Sequence, residues 1–361
     1  MLKKALFPGK YIQGPGALQE LPAICRRFGK RGLVIASPVC YRKLLPESGM
    51  DMLHCALVAE PFSGECCEKE LARLAKVIAD SGSDVIVGMG GGKTIDTAKI
   101  AADRAGLPVI IVPTIASSDA PCSGCAVVYT ENGVFESVFY QKSNPDAVLV
   151  DTGIIAKAPV RFLVAGMGDA LATWFEARSC SETGSKNECG GLGTLTGLAL
   201  ARLCYDTLLR DGAKAKTDAE RHLVTPELEN IVEANILLSG IGFESGGLAS
   251  AHSIHNGFTA LEESHAFYHG EKVAFGLLAG LQLIGSQAGE IETVYDFCES
   301  VGLPTTLADI GLADADAGRL KAAAVKASSP DEFIHHEKVR VTPEKVLDAI
   351  LAADALGRKR K

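Results

Sequence analysis

The stretch Asp84-Val-Ile-Val-Gly88-Met-Gly90-Gly91-Gly92-Lys93-Thr94-Ile-Asp96 decides the fold of the N-terminal half of this 361-residue chain. Its first part is an apolar run typical of a buried strand, and the residues after Lys93 have helical spacing. The glycines between them leave the backbone N–H groups at the helix N-terminus open to an anion. The stretch therefore predicts a pyrophosphate-binding turn between a strand and a helix of a parallel sheet.

Two other phosphate-binding motifs fit this turn less well. A Walker A loop requires a glycine five residues before Gly92, where Val87 stands, so its spacing excludes a nucleoside-triphosphate loop. The dinucleotide motif G-x-G-x-x-G requires a small residue where Lys93 stands. A tight turn without a ligand explains one or two glycines but not three in a row, so pyrophosphate binding is the favoured interpretation.

The remainder of the first 150 residues alternates between strand-like and helix-like segments. Short apolar runs and helical spacing alternate over residues 32–37, 65–80, 93–105, 108–112 and 147–151. This rhythm is typical of a parallel sheet covered by helices on both faces.

Two regions depart from that rhythm. Asn132-Gly133, between the apolar segments 126–129 and 134–140, predicts a β-hairpin. After residue 158 the apolar spacing is helical almost everywhere, including residues 225–245 and 271–288. The sequence therefore predicts a Rossmann-like α/β nucleotide-binding domain at residues 1–158, followed by an all-helical domain at residues 159–361.

Composition limits the class of protein. A net charge of −8 argues against a general nucleic-acid binder, which needs clustered Lys and Arg. Eleven cysteines, an odd number scattered along a long chain, are typical of reduced thiols in the cytoplasm. No stretch reaches the roughly 18 uncharged apolar residues that cross a bilayer. These observations predict a cytoplasmic protein with neither nucleic-acid nor membrane partners.

Four of the eight histidines lie within residues 251–270, namely His252, His255, His265 and His269. His252 and His255 are three residues apart and share a helix face, and His269 precedes the next helix. This density predicts a metal or proton-relay site. Asp169, which follows two glycines and is expected to open a helix, is the candidate third ligand, with helix capping as its alternative role.

These stretches together resemble the glycerol dehydrogenases of the iron-containing alcohol dehydrogenase superfamily. The resemblance covers nearly the whole chain and rests on residues 8–14, 88–99, 113–125, 166–178, 242–257 and 268–275. It implies a nucleotide-binding domain, a helical domain and a cleft between them that holds cofactor and metal. Assembly into a homo-octamer is also implied.

The resemblance assigns roles to individual residues. Asp169, His252 and His269 match the zinc ligands, and Asp119 matches the acid that contacts the polyol. Iron-type relatives have a further histidine at the position of Thr173, so three ligands and open positions are expected here, as at a catalytic zinc. The positions that match the surroundings of the cofactor are Gly92, Lys93, Thr94, Asp96, Thr114, Ser117, Ser123, Cys125 and Tyr129.

One position departs from the family. The strand at residues 33–37 ends in Ser37, where relatives usually have an aspartate that holds the adenosine ribose. A serine accepts a hydrogen bond but does not repel the extra phosphate of NADP. NAD should still be preferred, because no arginine stands beside Ser37 to receive that phosphate; the nearest are Arg31 and Arg42. The exclusion of NADP should be weaker than in an aspartate-bearing relative.

The implied reaction is zinc-assisted hydride transfer from glycerol or a related vicinal diol to NAD, which yields dihydroxyacetone or the matching hydroxyketone. Asp119 is expected to orient the hydroxyl groups, and a water or His255 to carry the proton away. The alternatives are a glycerol-1-phosphate dehydrogenase, a 3-dehydroquinate synthase-like lyase and a non-enzymatic nucleotide sensor. The first two need a basic pocket, and the substrate-side stretches offer little beyond Lys272.

Overall fold

The computed structural model describes residues 2–53 and 55–361. The strands are β1 Tyr11–Gly14, β2 Gly32–Ala36, β3 Val58–Pro61, β4 Val85–Gly90, β5 Val109–Pro113, β6 Cys125–Tyr129, β7 Phe135–Tyr140 and β8 Ala147–Asp151. The helices are α1 Leu21–Phe28, α2 Leu45–Glu47, α3 Glu68–Ser81, α4 Gly92–Ala105, α5 Thr152–Ile155, α6 Val160–Thr183, α7 Leu195–Glu220, α8 Pro226–Glu233, α9 Ser239–Gly246, α10 Ser250–Phe258, α11 His269–Ile284, α12 Ala288–Val301, α13 Ala317–Ala327 and α14 Pro343–Arg360.

Six strands form one parallel sheet in the order β1-β8-β5-β4-β2-β3. Every residue of β2, β4, β5 and β8 is buried, which explains why these four strands read as continuous apolar runs. The chain leaves β2 for β3 on one side and returns to β4 on the other. The carboxyl ends of β2 and β4 therefore flank the switch point where open α/β sheets bind ligands.

The expected fold class is confirmed, with local differences. The short strands β1 and β3 were not predicted, because each has four residues and a partly exposed pattern that includes Gln13 or Glu60. The hairpin is confirmed as the antiparallel pair β6 and β7. Its turn contains Gly133, whose φ of 76° lies in the left-handed region that favours glycine.

The part of the chain after β8 is helical, and among the described residues no strand follows β8. The helix expected at residues 271–288 was predicted too long, because α11 ends at Ile284 and Gly285 adopts a left-handed conformation that terminates it. Residues 225–245 are helical but interrupted by a π-helical turn at Ala234–Leu238. Asp169 does not open a helix, since α6 begins at Val160, so its capping role is also wrong.

The chain contains two compact units. One comprises Leu6–Pro159 with Asp218–Gly240 and holds the sheet, and the other comprises residues 2–5, Val160–Thr217 and Ile241–Lys361. The domain boundary after residue 158 stays a prediction, because compactness does not establish which segments fold alone. Within the described ranges, none of the helices has the length and apolar character that a membrane crossing requires.

Candidate functional site

The predicted pyrophosphate turn connects β4 to α4. A Cβ at Gly88 would lie 2.6 Å from the Ala98 Cβ, so this glycine allows the helix to pack closely on the strand. A Cβ at Gly92, the first residue of α4, would meet no atom within 4 Å. Packing therefore explains Gly88 but not Gly92, and the bare backbone at Gly92 fits the approach of an anion to the helix N-terminus.

Two further predicted cofactor residues lie beside this turn. Ser37 follows β2, its backbone N–H donates to the Met89 carbonyl at 2.9 Å, and its Cβ would be 2.9 Å from a Cβ at Gly90. Thr114 follows β5, and its N–H donates to the Gly90 carbonyl at 3.1 Å. The ends of three neighbouring strands thus bring Ser37, Gly92 and Thr114 to one edge of the sheet.

The first turn of α4 carries the other predicted contacts. The Lys93 ammonium pairs with Glu65 and lies 5.0 Å from the centre of the Tyr129 ring. Thr94 is buried, and Asp96 is buried with its Oδ2 accepting from the Val127 N–H at 3.1 Å. Burial raises the pKa of the Asp96 carboxyl to about 6, although Lys99 acts in the opposite direction.

Lys99, which sequence reasoning did not single out, ties α4 to the segment that holds Ser123 and Cys125. Its side chain is fully buried, and its ammonium donates to the Ala120 and Cys125 carbonyls and lies 3.4 Å from the Ser123 Oγ. The signal was available, because a lysine on the apolar face of a helix needs buried acceptors.

Asp119 and Ser117 lie in the loop after β5, where both are half-buried. Asp119 precedes a short 3₁₀ turn, and the Ser239 hydroxyl donates to its Oδ2 at 3.2 Å. The loop therefore holds the carboxylate in place, and its polyol contact stays a prediction.

Asp169, His252 and His269 form a compact cluster. They come from α6, α10 and the first residue of α11, and one ligand atom of each lies within 4.8 Å of the others. The Asp169 Oδ1 is 3.4 Å from the His252 Nε2 and 3.1 Å from the His269 Nε2. One carboxylate and two imidazoles with convergent atoms are a donor set suited to zinc.

Glu176 orients His252. It lies two helical turns after Asp169 on α6, and its Oε2 accepts from the His252 Nδ1 at 2.6 Å. Its Oε1 accepts from the backbone N–H groups of Ala249 and His252, at 2.9 and 3.1 Å, at the start of α10. With its Nδ1 hydrogen held by the carboxylate, the ring presents the lone pair of Nε2 to the cluster, an arrangement typical of metal-binding histidines.

The charges around the cluster favour a cation. Burial alone would lower the pKa of His252, but the carboxylates of Glu176 and Asp169 outweigh it and hold that pKa well above its usual range. Burial would raise the pKa of Asp169, but His269 and His252 hold it well below the usual range. A divalent ion among the three ligand atoms would be attracted by the same negative charges, directly by Asp169 and from behind the His252 ring by Glu176.

The other two histidines of the predicted group, His255 and His265, differ in their position relative to the cluster. His255 lies next to the cluster, with its Nε2 at 3.2 Å from the His269 Nδ1 and its Nδ1 at 3.2 Å from the Asn256 Oδ1. Burial, together with the nearby His269 and Lys272, holds the pKa of His255 well below its usual range. His265 is exposed and outside the cluster, and Thr173 is buried on α6, one helical turn after Asp169.

Comparisons with known proteins show what the chain as a whole is similar to. Residues 8–152 match the family model of the iron-containing alcohol dehydrogenases. The chain is 52% identical to the glycerol dehydrogenase of Thermotoga maritima, over 100% of this chain and 99% of that protein. It is 51% identical to the glycerol dehydrogenase of Citrobacter freundii, over 99% of each. A crystal structure of a probable glycerol dehydrogenase from Sinorhizobium meliloti is similar with a TM-score of 0.94 at 48% identity, over 100% of both chains.

Proposed function

This chain belongs to the glycerol dehydrogenases, within the iron-containing alcohol dehydrogenases, and we propose that it transfers a hydride from glycerol or a related vicinal diol to NAD. The product is dihydroxyacetone or the matching hydroxyketone. The observation that carries the proposal is the cluster of Asp169, His252 and His269, whose ligand atoms lie within 4.8 Å of one another.

In the proposed mechanism, Asp169, His252 and His269 hold a zinc ion. When bound, zinc supplies Lewis acidity that lowers the pKa of a secondary alcohol. A zinc ion held by these three residues would have room for the hydroxyl groups of a diol, as catalytic zinc ions do. Glu176 keeps His252 in the orientation that this requires.

The turn from β4 to α4 is proposed to bind the pyrophosphate of NAD. Gly92 leaves its backbone accessible, and the N-terminus of α4 directs N–H groups and the positive end of the helix dipole outward. NAD supplies the nicotinamide that accepts the hydride. Ser37 is proposed to meet the adenosine ribose, and Lys93, Thr94, Asp96, Thr114, Ser117, Ser123, Cys125 and Tyr129 to surround the cofactor.

Two residues are proposed to handle the substrate. Asp119 orients the hydroxyl groups of the polyol by accepting their hydrogen bonds, while Ser239 keeps the carboxylate in position. The proton that the alcohol loses leaves through a water or through His255. Both ring nitrogens of His255 face protein partners, the Asn256 Oδ1 and the His269 Nδ1. Its role as a proton carrier stays a prediction.

The test is turnover of glycerol with NAD before and after chelation. We expect the metal-free chain to lose activity and zinc to restore it better than magnesium, because imidazole ligands suit zinc. His252→Ala should lower kcat by several orders of magnitude, whereas His265→Ala, which removes an exposed histidine outside the cluster, should not. Full activity of the metal-free chain would refute the proposal.

The assembly and location of the protein are also part of the proposal. From the family resemblance and the free thiols we propose a cytoplasmic homo-oligomer, an octamer by that resemblance. The eleven free cysteines agree with a reducing compartment. Light scattering of the purified chain measures the mass of the assembly, and a monomer would contradict this part.

A further inference from the structure

A series of hydrogen-bonded side chains connects the proposed metal cluster to Glu332. The Glu332 carboxylate accepts from the Asn256 Nδ2, at 3.2 Å from Oε1 and 3.0 Å from Oε2. The Asn256 Oδ1 faces the His255 Nδ1 at 3.2 Å, and the His255 Nε2 faces the His269 Nδ1 at 3.2 Å. Each contact is within hydrogen-bond distance, so the chain is continuous from Glu332 to a proposed ligand.

Hydrogen-bond chemistry gives this chain a direction. An ionised carboxylate only accepts, so Asn256 must turn its NH₂ group toward Glu332 and its oxygen toward His255. That oxygen also only accepts, so the Nδ1 of His255 must carry the hydrogen. The Nε2 of His255 is then an acceptor, and the hydrogen of His269 lies on its Nδ1.

We propose that Glu332 and Asn256 are positioning residues that act through His255 to keep the Nε2 of His269 available as a metal ligand. The inference rests on the proposed function for the presence of the metal. It gives His255 the role of a tautomer-setting partner of His269. The two histidine ligands would then be oriented in different ways. Glu176 contacts His252 directly, whereas Glu332 acts on His269 through Asn256 and His255.

The experiment measures zinc affinity of the full chain by competition with a chromophoric chelator. Glu332→Gln has the size of the native side chain but can donate as well as accept, so Asn256 is free to reverse its amide. Glu332→Asp is shorter but still only accepts. We expect zinc affinity to fall by about tenfold in Glu332→Gln, the lower end of the effect of such outer residues, and to stay closer to native in Glu332→Asp.

A purely steric role predicts the opposite order, because glutamine fits the site better than aspartate. Glu263→Gln is the matched control, since this exposed acid pairs with Arg319 away from the cluster, and its zinc affinity should be native. Asn256→Leu, which removes the acceptor for His255, should weaken zinc binding by tenfold to a hundredfold or so. Native affinity in Glu332→Gln, or a weaker Glu332→Asp, would overturn the inference. Absence of zinc binding by the native chain would overturn the proposed function as well.

Discussion

Glu176→Gln is the substitution that tests the proposed metal centre most directly without replacing a proposed ligand. The native carboxylate accepts three hydrogen bonds, from the His252 Nδ1 at 2.6 Å and from the Ala249 and His252 backbone N–H groups at 2.9 and 3.1 Å. A glutamine side chain has only one oxygen, and the two backbone N–H groups at the start of α10, which share one carboxylate oxygen in the native protein, keep that oxygen as their acceptor. Its NH₂ group is then left facing the His252 Nδ1.

This arrangement places the ring hydrogen of His252 on the wrong nitrogen. With a donor opposite its Nδ1, the ring must accept there and carry its hydrogen on Nε2, which faces the Asp169 Oδ1 at 3.4 Å. Loss of such an outer partner costs about tenfold to a hundredfold in metal affinity, which is about 1.4–2.7 kcal/mol of binding free energy. We expect Glu176→Gln to weaken zinc binding by that amount.

The assay is competition for zinc between the chain and a chelator, with Tm measured on the same samples. The amide keeps the size of the side chain and one acceptor, so we expect the unfolding free energy to change by about 1 kcal/mol, which moves Tm by a few degrees or so. Glu182→Gln is the matched control, because Glu182 lies on the same helix but pairs with Lys338 at 2.9 Å in an exposed position. Unchanged zinc affinity in a folded Glu176→Gln chain would refute the reasoning.

Three further substitutions test the substrate and cofactor residues, and a fourth, Gly88→Ala, is a packing control. Asp119→Ala should lower kcat/KM for glycerol by roughly tenfold to a hundredfold, the value of a charged hydrogen bond, and equal losses with a simple secondary alcohol would contradict its polyol role. Ser37→Asp should increase the preference for NAD by lowering kcat/KM with NADP, and the assay is kcat/KM with both cofactors. If the native protein already excludes NADP as strongly as the aspartate variant, the proposed role of Ser37 is wrong. Gly92→Ala should keep the native Tm but weaken NAD binding in a fluorescence titration, since its Cβ meets no atom, while Gly88→Ala should destabilise the fold by about 1–3 kcal/mol through its 2.6 Å approach to Ala98. Native NAD affinity in Gly92→Ala would argue against a pyrophosphate at this turn.

The strands and helices that could be predicted are those whose burial is uniform. The runs at β2, β4, β5 and β8 are buried on every residue and therefore apolar throughout. Edge strand β3 contains Glu60 and is partly exposed, so its pattern does not differ from that of a loop. The turn after β4 could be recognised because packing alone does not explain its run of glycines: a Cβ at Gly88 would lie 2.6 Å from the Ala98 Cβ, but a Cβ at Gly92 would meet no atom within 4 Å.

The residues that contact the proposed metal ligands are harder to predict from sequence, because they are far from those ligands along the chain and lie close to them only in the folded structure. Glu332 is 76 residues from Asn256 along the chain, and no periodicity connects them. Glu176 could have been predicted from the sequence. It lies two helical turns after Asp169 in an apolar segment, so both acids lie on the same helix face, and a buried acid needs a partner. Ligand residues can be recognised by their type, whereas the residues that orient them are recognised from contacts.

The sheet-containing unit is built from segments that are far apart along the chain, which affects the order of folding on the ribosome. The Gly16 N–H donates to the Asp151 Oδ1 across 135 residues, and the Gln13 side chain donates to the Glu229 carbonyl across 216 residues. Strand β1 therefore waits for β8 before it can pair, and the unit waits longer for the segment Asp218–Gly240. At about 5–20 residues per second, roughly 7 to 27 seconds of synthesis separate β1 from β8, and the segment Asp218–Gly240 comes later still. Strand β1 stays unpaired until β8 has emerged, and the sheet-containing unit stays incomplete until residue 240 has emerged. Holdase chaperones can act on the nascent sheet during these two intervals.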